Sequence, residues 1–177
     1  MNRKQIIGIS LAVVAGAALL KSCKTIPKGA VAVKPFYVKR YLGKWYEIAR
    51  FDYRFEKNLN NTTAAYSLKD DGNIKVVNRG YDFVKGKWKE AEGKAKFAGD
   101  KDEAKLKVSF FGPFYAGYNV IAIDPDYRYA LVAGKNLHYL WILSREKTIP
   151  ASIKESYLQK ARQLGYNTDE LNWVKQE

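Results

Sequence analysis

The sequence predicts an all-β protein: an eight-stranded antiparallel up-and-down barrel, with one C-terminal helix packed outside it and a short ninth strand. Three observations carry this. Short alternating or apolar runs recur at roughly ten-residue spacing, separated by Gly, Pro and Asp-Gly turns. No crossover helix interrupts them, so neighbouring strands run antiparallel. The hydrophobic period changes only near the end, from two to the helical value. Aromatic residues make up 14% of the chain, which suits strands around a wide apolar interior.

The first strand is GKWYEIARF, residues 43–51. AAYSLKDDGNIKVVNRGY forms two strands around Asp71-Gly72, a strong hairpin signal. Residues 86–98 alternate small and charged side chains. Residues 104–110, AKLKVSF, place Ala104, Leu106, Val108 and Phe110 on one face. Strands at 117–124, 127–134 and 137–145 complete the eight. In 150–167, Ile153, Tyr157, Leu158, Ala161 and Leu164 recur at helical spacing, with Pro150 near the start and Gly165 just past the end. YLWIL (139–143) is apolar on both faces, as a strand must be when one face lines the interior and the other lies under that helix. A short strand at 171–175 follows.

Eight strands close without an exposed edge and leave room for side chains or one small ligand. The inward face is read as Ala64, Tyr66, Ile74, Val76, Asn78, Ala91, Gly93, Ala95, Phe97, Leu106, Val108, Phe110, Tyr118, Val120, Trp141 and Leu143. It is apolar, with small residues on 91–95 leaving gaps, as a hydrophobic ligand requires. Asn78 either meets a ligand's polar end or is satisfied by a neighbour or water.

The N-terminus is a different material. Arg3 and Lys4 precede an uncharged apolar run of 15 residues, 6–20. That is short for a membrane span, which needs about 20, and reads as an export signal. Cys23, the only cysteine, follows it and has no disulfide partner. Residues 1–22 are expected to be a signal peptide, 23–40 a tether without sustained periodicity, and 41–177 the barrel domain. Loss of residues 1–22 removes Arg3, Lys4 and Lys21 and no acid, so the net charge falls from +13 to +10. Most of the lysines alternate with apolar residues and read as the solvated face of strands. An exported chain of this kind points away from nucleic acid.

The chemistry of catalysis finds little support. The one histidine, His138, points away from the interior by strand parity, which argues against a triad or a histidine-based metal site. Glu90 and Glu92 share the face opposite the small residues and read as solvated partners of lysines. No phosphate loop, cofactor motif or catalytic residue is assigned, and no metal ligand.

Two resemblances sharpen the reading. Leu20, Ser22 and Cys23 resemble the lipobox of bacterial lipoproteins, which implies cleavage before Cys23 and diacylglycerol on its sulfur. Lys24 at the next position implies sorting to the outer membrane in a Gram-negative source. Across residues 36–175 the chain resembles the lipocalins, specifically the bacterial outer-membrane branch and its apolipoprotein D-like relatives. The carriers are Gly43 and Trp45 of the G-x-W motif, Asp124 in AIDPDYRYALV, and Arg145 ending LWILSR. Ile123 replaces the threonine usual before the aspartate. The resemblance implies that Gly43, Trp45, Asp124 and Arg145 build a barrel floor, with Arg145 laid over the Trp45 ring. It also implies a fatty acid, lysophospholipid or similar amphiphile in the cavity, held for storage or transport in the cell envelope. The alternative is an envelope interaction protein whose barrel is filled by its own aromatics.

Overall fold

A computed structural model of the protein describes residues 25–52 and 56–177. The signal peptide and the lipidated Cys23 expected from the sequence lie outside these residues. The described chain forms β1 (Gly43–Arg50), β2 (Leu59–Leu68), β3 (Ile74–Asp82), β4 (Lys87–Phe97), β5 (Lys105–Ser109), β6 (Ala116–Ile123), β7 (Tyr129–Ala133) and β8 (Leu140–Ser144). A one-turn helix α1 (Val38–Tyr41) precedes them; helix α2 (Ala151–Gln163) and a short strand β9 (Asn172–Trp173) follow.

Each strand pairs antiparallel with the next, and β1 pairs with both β2 and β8, so the sheet closes as predicted. The first half of β1 meets β2 through Gly43–Tyr66 to Tyr46–Thr63. Its second half meets β8, and β9 adds outside against Ala49 and Arg50. The β2–β3 turn works as its sequence requires. Gly72 takes a φ of 77°, and the Asp71 carboxylate accepts from the Asn73 N–H at 2.9 Å.

The apolar side chains divide into two cores. One fills part of the barrel around Trp45, Tyr66, Val76, Leu106 and Leu143. The other lies between the wall and α2, where Ile48, Ile121, Leu131, Leu140 and Ile142 meet Tyr157, Leu158 and Ala161. Strand β8 therefore serves both cores, with Leu143 inward and Leu140 and Ile142 under the helix.

Residues 25–40, expected as a tether, lie on the barrel throughout the described part. Val33 donates to the Val120 carbonyl at 2.9 Å and accepts from the Ala104 N–H at 2.9 Å. Ala32 and Phe36 are buried in the barrel core. Its lack of periodicity is matched over 25–37, which packs without helix or strand, while 38–40 begin the single turn of α1.

Candidate functional site

The closed end is built from the motif residues. Gly43 has a φ of 93°, a backbone open to glycine at little cost, and a Cβ there would stand 3.4 Å from an Arg145 nitrogen. Trp45 is fully buried and its Nε1 donates to the Tyr41 carbonyl at 2.8 Å. The Arg145 guanidinium sits 3.8 Å from the Trp45 ring centre. It donates to the carbonyls of Lys44 at 2.7 Å, Arg40 at 2.9 Å, Tyr41 at 3.1 Å and Leu42 at 2.9 Å, and through Nε to Tyr127 at 3.2 Å. One side chain from the end of β8 thus fixes the whole entry segment. Asp124 holds the β6–β7 turn, its Oδ1 accepting from Arg128 at 2.7 Å and Tyr129 at 2.5 Å.

Above this floor lies a cavity of about 700 Å³, within the range of small-molecule sites, about 300–1,000 Å³. Ala64, Tyr66, Ile74, Val76, Asn78, Ala91, Ala95, Leu106, Val108, Phe110, Tyr118, Trp141 and Leu143 line it, as the strand parity predicts. Three residues of the predicted face do not. Phe97 and Val120 belong to the same core but pack away from the open volume. At Gly93 the predicted gap is already taken: a Cβ there would come 2.8 Å from the Phe110 ring, which folds over the glycine. His138 lies exposed in the β7–β8 connection, and Glu92 pairs with Lys75 at 2.7 Å on the outer surface.

Polar groups enter this apolar space at two levels. Low in it, the Tyr118 hydroxyl meets those of Tyr41 at 2.6 Å and Tyr66 at 2.7 Å. Burial holds all three phenols well above their ordinary range, so they are neutral donors. Three O–H groups share two mutual bonds, which leaves one proton for another acceptor. The Asn78 carbonyl oxygen, buried on the wall, has no hydrogen-bond partner among the described residues.

The second level was not anticipated. Toward the open end Arg50 is completely buried, with Nη1 on the Glu47 carboxylate at 2.9 Å and Nη2 on the carbonyls of Glu56 at 2.6 Å and Leu59 at 3.1 Å. Its Nε lies 3.4 Å from the Asp52 carboxylate. Glu56 accepts from Trp141 Nε1 at 3.4 Å. Burial, reinforced by the Glu47 charge, pushes the Glu56 carboxyl from 4.5 up to about 8. Burial also raises Glu47, against the pull of Arg50. Strict alternation would put Glu47 and Arg50 on opposite faces. An irregularity in the β1–β8 register between Glu47 and Ala49 turns both inward. Its only trace in the sequence is the adjacent apolar pair Ile48-Ala49, both buried in the outer core.

A family model described as a lipocalin-like domain matches residues 36–176. The chain belongs to the lipocalin family. This lipocalin is 54% identical over 168 residues to the outer membrane lipoprotein Blc of Citrobacter freundii, covering 94% of this chain and 95% of that one. It is 51% identical, with the same coverage, to the outer membrane lipoprotein Blc of Escherichia coli (strain K12). The solved insecticyanin of the tobacco hornworm Manduca sexta aligns at a TM-score of 0.68 with 20% identity, over 86% of this chain and 87% of that one. At that identity the likeness is one of fold. The matched span begins at Phe36, inside the segment that closes the floor, and includes Gly43, Trp45, Asp124 and Arg145.

Proposed function

We propose that this lipocalin is a membrane-anchored carrier of an amphiphilic lipid, a fatty acid, a lysophospholipid or a molecule of similar shape, in the cell envelope. The observation that carries it is the cavity: closed below by Trp45 and Arg145, walled by apolar side chains, and large enough to be worth filling. An acyl chain gains about 25 cal/mol per Å² of apolar surface removed from water, less the cost of association. Asn78 and the tyrosine hydroxyls offer polar contacts within the apolar wall that would orient it. The anchor is diacylglycerol on Cys23, and the location is the outer membrane, facing the periplasm. The Blc relatives, outer membrane lipoproteins, support a lipid anchor and that membrane. A barrel filled by its own aromatics would leave no comparable volume. No catalytic step, cofactor or metal is assigned to the cavity.

The test is direct. The chain beginning at residue 24 is extracted with organic solvent and titrated with a fluorescent fatty acid and a fluorescent lysophospholipid. Saturable binding at one site is expected, and Ala95→Trp, which places an indole in the cavity, abolishes it while the barrel stays folded. Absence of both co-purified lipid and saturable binding overturns the carrier reading.

A further inference from the structure

The connections at the two ends of the barrel differ in chemistry. Three of those at the floor are acidic: 69–73 holds Asp70 and Asp71, 98–104 holds Asp100, Asp102 and Glu103, and 124–128 holds Asp124 and Asp126; the fourth, 145–150, sets Glu146 between Arg145 and Lys147. Three of the connections at the mouth, 83–86, 110–115 and 134–139, contain no carboxylate and carry Lys85 and Lys135. They also expose large apolar side chains: Phe83 at 53%, Val84 at 65%, Phe114 at 79% and Leu137 at 40%. Large exposed apolar side chains gathered on the connections of one end are the mark of an interaction surface.

The N-terminal segment adds an independent observation. Thr25 is held at the mouth end of β6. Its carbonyl accepts from Asn119 Nδ2 at 2.7 Å, and it lies so close to Gly117 that a Cβ there would come within 2.0 Å of it. Gly117 is the second residue of β6 and itself borders the cavity. Two residues span at most roughly 7 Å, so Cys23 cannot lie farther than that from Thr25. The eight residues of β6 rise roughly 20 Å between the two ends, once tilt is allowed for. An anchor at Cys23 therefore reaches the mouth and not the floor.

We infer that the mouth of the barrel docks on the surface of the membrane that holds the anchor. Phe83, Val84, Phe114 and Leu137 enter the headgroup layer, and Lys85 and Lys135 face anionic headgroups. The inference rests on the anchored-carrier reading and fixes its orientation: lipid passes between bilayer and cavity across the rim, with little exposure to water. Apolar contact and lysine attraction act together to bring the rim onto an anionic surface, and the anchor adds to that attachment.

The chain beginning at residue 24 has no cysteine, so V84C and K101C each carry one spin label, at the mouth and at the floor. The labelled chains are mixed with vesicles of phosphatidylcholine plus phosphatidylglycerol, and with vesicles of phosphatidylcholine alone. On the mixed vesicles the label at 84 becomes oxygen-accessible at headgroup depth while the label at 101 stays in water. Phe83→Ser with Leu137→Ser, and separately Lys85→Glu, weaken co-flotation with mixed vesicles by roughly tenfold or more. All leave titration with the soluble fluorescent fatty acid unchanged, since none of the three lines the cavity. Loss of that titration in the unaltered chain would sink the carrier reading; a label at 84 that stays in water on both vesicles would sink the docking alone. If the serine variant instead converts a dimer to a monomer and vesicles are not bound, the rim is an interface between copies and the inference is wrong.

Discussion

At the floor of the barrel, Arg145 donates to five backbone carbonyls, and among the described residues no carboxylate pairs with it. Toward the mouth, Arg50 is met by the carboxylates of Glu47 and Asp52 as well as by carbonyls. Both guanidiniums brace an end of β1, by different means. Carbonyl dipoles do not titrate, so the floor holds its geometry at any pH the fold survives. The mouth cluster places three acids around one base, and its charge depends on pH. The lipocalin thus keeps its invariant geometry at one end and its responsive groups at the other, where a ligand enters.

The sharpest way to break this contrast is to remove the floor. Trp45→Ala deletes a fully buried indole, the surface under Arg145 and the donor to the Tyr41 carbonyl. It should cost about 3–5 kcal/mol in denaturant unfolding, with little change between pH 5 and pH 8. A strong pH dependence of that loss would mean that the floor is coupled to the titrating cluster.

Arg50→Met comes next. It leaves Glu47 and Asp52 without their buried partner and should cost about 3 kcal/mol at neutral pH. At pH 5 the loss should shrink, because burial already favours the protonated forms of Glu47 and Glu56. Equal losses at both pH values would show that Arg50 acts through its carbonyl contacts alone and resembles Arg145 after all.

These two arginines also show what the sequence discloses. Trp45 and Arg145 are legible because their roles follow from a motif at each end of the domain and from strand order. The cavity wall is legible because period two assigns every residue of a regular strand to a face. Arg50 and Glu47 are not, since a single register irregularity reverses the parity after Glu47. Glu56 lies in a connection, where periodicity assigns no face at all. Gly93 misleads in another way. Its parity is right, but a strand pattern cannot tell that Phe110, its cross-strand neighbour, fills the space that the glycine opens.

Glu56→Gln tests the responsive end more gently. The folded Glu56 titrates at about 8 and its ordinary value is 4.5. Between those values the unfolded chain releases a proton that the folded chain keeps, so stability falls as pH rises through the window. Glutamine removes that release. The variant should show a flatter stability profile from about pH 4.5 to 8, by on the order of 1–2 kcal/mol after screening at a partly exposed side chain. An unchanged slope would assign the pH dependence to Glu47.

The smallest expected effect lies on the wall between the two ends. Gly93→Ala places a Cβ 2.7 Å from the Ser109 carbonyl and 2.8 Å from the Phe110 ring. The carbonyl belongs to the β-ladder and resists movement, so the ring must swing away from β4 into the open volume. Overpacking of this kind costs roughly 1 kcal/mol, and the displaced ring shortens the cavity available to an acyl chain. Urea unfolding together with titration of fluorescent fatty acids of increasing length separates the two consequences. Stability should fall slightly, and affinity should fall more for long chains than for short ones. If affinity is untouched at every length, Phe110 has room to move without entering the ligand's path, and that part of the wall behaves like the adaptable mouth and not like the rigid floor.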